Sequence, residues 1–348
     1  MKESIYMTIK QTKMKRSIYW IMLLFTTLVG CKKEDSDKDG AWSRSADFEG
    51  EPRNGAFVFT IDNKAYVGTG YDGDDRFNDV WMFDGDKKTW YPMAVFPGKA
   101  RSNGVAFTIN EKGYFGTGYD GDTALKDFWE YTPSTNSWRK IADMPINVGR
   151  YDAVAFSLNN KGYVGTGKDN DSKEQSDFYS YDPNTDTWKK ENSLTVKRSG
   201  AFTFTVNGNV YVGGGTNNGS YTPELYEFNP VDGSWIIKRD LNRFDDDDND
   251  EKNDDDNYDL SRSNTMAFTI GGNGYITCGM KYSALNDTWR YDPVKDFWTQ
   301  VDTFEGTNRA YGVAFTIKNL AYVTTGNNGS TRLDDTWVFD PNAVDDDD

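Results

Sequence analysis

The sequence predicts an all-β chain folded as a six-bladed propeller, and three observations predict it. An Arg-x5-Phe-x6-Tyr-x3-Gly unit occurs six times, starting at Arg53, Arg101, Arg150, Arg198, Arg262 and Arg309. The starts lie 47 to 49 residues apart, except for one interval of 64. Aromatic residues make up 15% of the chain and glycines number 33, a composition suited to short strands joined by tight turns. Units of this size cannot bury an apolar face alone, so they must stack on one another.

Each unit reads as four strands. Strand a follows the arginine, as in Gly104 to Thr108, and a turn of Asn, Asp, Gly or Lys leads into strand b, as in Tyr114 to Gly118. Strand c opens on an acid with two alternate aromatics behind it: Asp79/Trp81/Phe83, Asp127/Trp129/Tyr131, Asp177/Tyr179/Tyr181, Glu224/Tyr226/Phe228, Asp287/Trp289/Tyr291 and Asp335/Trp337/Phe339. Period-two spacing puts both aromatics on one face of the strand. A turn, usually carrying proline, then leads to a tryptophan that starts strand d: Trp90, Trp138, Trp188, Trp235 and Trp298. The sixth unit ends without one. Trp42, however, stands eleven residues before Arg53, the interval that also separates Trp90 from Arg101 and Trp298 from Arg309. The N-terminal strand is therefore expected to complete the last blade and remove the free sheet edges.

Composition narrows the function classes. The 348 residues carry a formal charge of −16, and without the first 30, which hold five Lys/Arg against one Glu, the remainder carries about −20. Such a surface disfavours nucleic acid and anionic membrane faces and favours cations or basic partners. There is no histidine. That excludes Ser-His-Asp and Cys-His nucleophiles, His-ligated zinc or copper, and imidazole acid–base work. Any catalysis falls to carboxylates, Tyr, Lys or Arg. Of the two cysteines, Cys31 sits at a processing site and Cys278 inside a repeat strand, so no disulfide is expected.

The leader has its own logic. Met14-Lys15-Arg16 precedes an apolar run from Ile18 to Val29, which ends Leu28-Val29-Gly30-Cys31. A basic start, a short apolar run and a small residue before the cut describe a secretory signal, and the run is shorter than the roughly 20 residues a spanning helix needs. Leu-Val-Gly-Cys resembles the bacterial lipobox, which implies lipidation of Cys31. An uncleaved anchor or an ordinary secretory signal is the plainer alternative. The charged Lys32-Lys33-Glu34-Asp35 behind it is similar to the surface-export signal of Bacteroidetes lipoproteins. The expected organisation is a signal over 1–30, a polar tether over 31–40, the propeller over 41–342 with an acidic insert at 244–260, and an acidic tail over 343–348. This implies a monomer at the cell envelope, anchored in the outer membrane only through its lipid.

The unit as a whole resembles the kelch repeat across about residues 41 to 342. Its signature is Arg at the start, Tyr-x-x-x-Gly in the middle, then acid, paired aromatics and Trp. Kelch units usually carry Gly-Gly after the tyrosine, and only Gly214-Gly215 does so here. The resemblance implies a six-bladed propeller with strand a innermost. It implies little about function, because propellers carry many unrelated activities.

Two readings of the arginines remain open. Six guanidiniums at one radius, Arg53, Arg101, Arg150, Arg198, Arg262 and Arg309, would bind carboxylate or phosphate. Alternatively, each pairs with the acid that opens strand c, 25 to 27 residues on. Departures between units are more informative, since only they can build an asymmetric site. Tyr151, Asp152 and Tyr311 replace small or amide residues beside the arginines; they suit stacking on a sugar, or they fill the channel mouth. The leading expectation is a module that binds a protein or glycan on the loop face. Six-bladed kelch proteins also include sialic acid mutarotases of the N-acetylneuraminate epimerase type, and Arg150 with Asp152 is the pair that resemblance points to. The copper radical oxidases of the same fold need histidine ligands and are excluded. No cofactor is required. Calcium is the one candidate, at Asp72, Asp74, Asp120, Asp122, Asp245 and Asp247, because clustered carboxylates are hard oxygen ligands; solvated acidic loops are the alternative.

Overall fold

The computed structural model describes residues 40–243 and 257–343. Six four-stranded antiparallel sheets account for six blades. The first five are continuous in sequence, each ordered a-b-c-d. Blade 1 runs through Phe57–Ile61, Lys64–Gly68, Val80–Asp84 and Thr89–Pro92. In blade 6, Val313–Ile317, Leu320–Thr324 and Thr336–Asp340 are followed on the outside by Ala41–Arg44, with Trp42 opposite Phe339. Cys31, Asp245, Asp247 and most of the leader, insert and tail lie outside the described residues. The far end of the 244–260 segment is not a solvated loop: Tyr258–Asp259 pairs with Asn242–Arg243, and Tyr258 and Leu260 are buried.

The repeat's aromatics explain how the blades hold together. In strand a the residues alternate between buried and half-buried, so Phe57, Phe59 and Ile61 enter the blade interface while Val58 and Thr60 face the axis. Each strand-a phenylalanine stacks on the tyrosine of strand b in its own blade, as Phe59 does on Tyr66 and Phe107 on Tyr114, at 5.1 and 5.3 Å between centroids. Both rings then meet the second strand-c aromatic of the next blade: Phe59 and Tyr66 meet Tyr131, and Phe315 and Tyr322 meet Phe83 of blade 1. Each such aromatic pair contributes about 1 kcal/mol beyond area burial. Closeness here leaves no room for a side chain at Gly162, where a Cβ would lie 2.1 Å from the Phe107 ring.

Small residues face the axis. Val58, Ala106, Thr60, Thr108, Ser157 and Thr205 line a cavity of about 480 Å³ between the innermost strands. Thr108 donates to the Thr60 carbonyl and Thr269 to that of Thr205, both at 2.9 Å, which ties neighbouring blades together at the wall.

Candidate ligand site at the channel mouth

The six repeat arginines lie inside the blades. None is more than 3% exposed. Arg101 forks onto Asp127 at 2.6 and 2.9 Å, Arg262 onto Asp287 at 2.6 and 2.7 Å, and Arg150 onto Asp177 at 2.8 and 3.3 Å. Arg53 holds Asp79 in the same way, Arg309 holds Asp335 at 2.7 Å and Arg198 holds Glu224 at 3.0 Å. A second donor of each guanidinium reaches the carbonyl sixteen residues on, from Thr69 in blade 1 to Thr325 in blade 6. Burial raises the carboxyl pKa of Asp127, Asp287 and Asp335, but hydrogen bonds and charge from their arginines outweigh it and hold all three below the usual carboxylate range. The arginines are thus placed as blade pins rather than as an open ring of donors. Unpaired, six guanidiniums this deeply buried would bear a large desolvation cost.

Two residues past each arginine the backbone turns left-handed. Gly55, Asn103, Asp152, Gly200, Asn264 and Tyr311 all have φ between 52° and 64°. The turn aims each N–H along the ring at the carbonyl of its neighbour: Gly55 donates to Tyr311, Tyr311 to Asn264, Asn264 to Gly200, Gly200 to Asp152, Asp152 to Asn103 and Asn103 to Gly55, at 2.7 to 3.1 Å. The result is a closed hoop of six hydrogen bonds that crosses every blade boundary. Gly, Asn and Asp enter this conformation readily. Tyr311 does not, and strain of this kind, ordinarily about 1–3 kcal/mol, concentrates at functional positions.

Side chains on and beside this hoop form the candidate site. Asp152 and Tyr311 interact with one another, and Tyr151 and Tyr221 also act on Tyr311. Burial, then the charge of Asp152, raises the Tyr311 hydroxyl well above its usual value. Burial pushes the Asp152 carboxyl up to about 6, against a smaller opposing pull from Lys168. Tyr119 packs on Tyr151 at 5.3 Å between centroids, and Tyr221 meets Tyr282 at 5.9 Å. Arg76 lies over both Tyr71 and Tyr119, at 4.5 and 5.1 Å. Of the residues singled out in the sequence, Tyr151, Asp152 and Tyr311 are brought together. Arg150 and Asp152 are not: the guanidinium is committed to Asp177 and the Thr166 carbonyl, while the cation that acts on Asp152 is Lys168.

Sequence reasoning missed Tyr71, Tyr119 and Lys168. They occupy one position, directly after the repeat glycine, where each bridges the residue beside the arginine: Asn54 to Tyr71, Ser102 to Tyr119 and Tyr151 to Lys168. The signal was available, since this position varies while the glycine before it does not.

The acidic loops serve their own turns. Asp72 Oδ1 accepts the amides of Asp74 and Asp75, and Asp120 Oδ1 those of Asp122 and Thr123, while Asp120 Oδ2 accepts Lys99 at 2.6 Å. Among the described residues, no three His, Cys, Asp or Glu side chains gather as a metal site.

Comparison with known proteins agrees with this architecture. Residues 39–164 match the family model described as the KLHDC2/KLHL20/DRC7 Kelch-repeats domain. The solved structure titled "Structure of YjhT" superposes with a TM-score of 0.71 at 18% identity, over 88% of this chain and 98% of that one. The chain is a six-bladed β-propeller, and its residues 39–164 match kelch repeats. At that identity the likeness is one of fold. No curated protein matches the chain. Positions shared by the six units build the pins and the hoop, and the tyrosines at the mouth stand where the units differ.

Proposed function

We propose that this propeller is a glycan-binding module and that its site is the mouth ringed by the left-handed hoop. The observation that carries the reading is the convergence of Asp152, Tyr151 and Tyr221 on Tyr311, with Tyr119 packed on Tyr151. Aromatic faces stack on the apolar faces of sugar rings, while a few placed polar groups fix orientation. Asp152 and the side-chain amides of Asn103 and Asn264 supply polar groups at positions on the same hoop. The rigid ring beneath them keeps the ordering cost of binding low. A protein ligand is the other outcome of the test. A glycan array probed with the full chain, beside Tyr151→Ala and Tyr311→Ala variants, decides it: retention of a sugar by the wild type alone supports the reading, and retention of none refutes it.

A second reading has one observation in its favour. A carboxyl titrating near 6 beside a tyrosine is suited to general acid–base work on a hemiacetal, the chemistry of a sugar-acid mutarotase. With Arg150 engaged elsewhere, the carboxylate of such a substrate would have to meet Lys168 or Arg76. NMR of anomer exchange on sialic acid tests this, and no acceleration above the spontaneous rate refutes it.

We further propose delivery to the cell envelope as a lipoprotein, from the Leu28-Val29-Gly30-Cys31 sequence. Mass spectrometry of the mature N-terminus should find a lipidated Cys31, and a chain still carrying residues 1–30 contradicts it.

A further inference from the structure

Blade 3 departs from its neighbours in three ways that meet at one place. In blades 1, 2, 5 and 6 the arginine Nε donates to the carbonyl two residues before it: Arg53 to Glu51, Arg101 to Lys99, Arg262 to Leu260 and Arg309 to Thr307, at 2.8 to 3.3 Å. Arg150 Nε is buried and has no protein acceptor. The reason is loop length. The capping residue ahead of the arginine is fixed by its own amide bond, from Phe96 to the Asn78 carbonyl and from Met144 to that of Lys126. Five positions separate Phe48 from Arg53, Phe96 from Arg101 and Phe304 from Arg309, whereas six separate Met144 from Arg150. One extra residue moves the turn carbonyl out of reach.

The cap also differs in kind. Phe48, Phe96 and Phe304 lie over their guanidiniums at 4.9 to 5.0 Å, but Arg150 meets only Tyr179, at 5.9 Å. Finally, the first strand-c aromatic is Tyr179, where four blades place a tryptophan whose indole N–H bonds the acid. Arg198 also has an unpartnered Nε, but there a bond between Thr195 Oγ1 and the Tyr226 hydroxyl, 2.7 Å long, accompanies a shorter loop. Beside Arg150 these changes border a pocket of about 270 Å³, lined by Ile146, Arg150, Asp169, Gln175, Asp177 and Tyr179.

We propose that this pocket is a second ligand site, separate from the mouth, and that it takes a small uncharged polyhydroxyl molecule the size of one sugar ring. Arg150 Nε supplies a donor that the fold leaves unused, and Gln175 and Tyr179 add polar groups around it. Charge sets the class. Asp177 already neutralises the guanidinium and Asp169 adds a further negative charge, so an anion is repelled. The volume lies at the small end of ligand pockets.

The test is saturation-transfer NMR of the full chain with neutral monosaccharides, with N-acetylneuraminate as the charged comparator. A neutral sugar should bind, and Tyr179→Trp, which installs the residue four other blades carry, should weaken it about tenfold or more by closing the pocket over the donor. Gln175→Leu provides a second variant should the first fail to fold. Crystals soaked in the same sugar should place a sugar oxygen within hydrogen-bond distance of Arg150 Nε, and position alone separates this site from the mouth. Water alone at that nitrogen, an affinity unmoved by both variants, or preference for the anionic sugar would each overturn the proposal.

Discussion

Gly326 donates its N–H to the carbonyl of Arg53 at 2.8 Å, joining blade 6 to blade 1. The same bond runs from Gly70 to Arg101, Gly118 to Arg150, Gly167 to Arg198, Gly215 to Arg262 and Gly279 to Arg309. The repeat glycine and the repeat arginine are therefore one device: the glycine holds the backbone of the next arginine while that arginine's side chain pins its own blade. Gly326 has φ +99°, and a Cβ there would stand 2.9 Å from the Ala310 carbonyl oxygen. Gly326→Ala should cost roughly 2–4 kcal/mol, from backbone strain and overpacking together. Gly329→Ala, at φ +57° with nothing within 4 Å, should cost only about 1 kcal/mol. Urea unfolding of the two variants checks the contrast, and equal losses would remove the joint from the account.

The pins make a thermodynamic cycle. Arg101→Met leaves Asp127 buried without its partner and should cost about 3–5 kcal/mol, while Arg101→Met with Asp127→Asn should lose clearly less than the sum of the single changes. The pH dependence follows from the lowered carboxyl of Asp127. Its stabilising contribution is complete above the unfolded value of about 4 and is lost as pH falls through the lower folded value. Acid titration of the wild type should therefore show a loss that Asp127→Asn lacks in part.

Those two predictions rest on constant positions, and constancy made the fold readable. Six aromatics at one spacing can be satisfied only by stacking six like units, so Phe59, Tyr66 and Tyr131 announce their packing in the sequence. The pairing of arginine with acid was readable as stoichiometry. The choice between pinning a blade and facing solvent was not, because it depends on how deeply Arg53 or Arg309 sits below the hoop. The candidate site was half legible. Tyr151, Asp152 and Tyr311 stood out as departures at one position, whereas Tyr119 and Lys168 needed the backbone bridges that carry them to the same mouth. The missing acceptor at Arg150 Nε goes with a one-residue change in loop length, which alters spacing too little to be noticed without the structure.

Trp42 gives the chain terminus a measurable weight. Its ring packs against Phe304 at 4.9 Å and Phe339 at 5.1 Å between centroids, and it is 3% exposed. Trp42→Ala should cost about 3–5 kcal/mol, the range for a large buried aromatic. Because the strand also covers the outer edge of blade 6, the variant should become more prone to self-association. Light scattering alongside a denaturant melt reads both effects; a loss under about 1 kcal/mol would mean the strand adds little to the ring.

The turn-capping role of Asp72 and Asp120 makes a statement about metal. One oxygen of each accepts two backbone amides and the second of Asp120 accepts Lys99, so these loops should hold their shape without calcium. A thermal melt with excess chelator should superpose on one with added calcium. A rise in Tm with calcium would assign the metal a structural role in these loops after all.

Asp152 carries the opposite sign to the pins. Its folded carboxyl titrates near 6, above an unfolded value of about 4, so between those limits the folded chain holds a proton that the unfolded chain has released. Its contribution is therefore most favourable below about pH 4 and declines as pH rises, and above about 6 the charge of this half-buried carboxylate is a penalty. Asp152→Asn should raise stability near neutral pH by on the order of 1–2 kcal/mol and change little in acid. Paired melts across this window check the crossover. Greater stability of the aspartate at neutral pH would mean that Lys168 and the hoop satisfy the charge. The same titration bears on function, because ligand binding that weakens with the loss of the carboxylate below about pH 6 would place Asp152 in the contact.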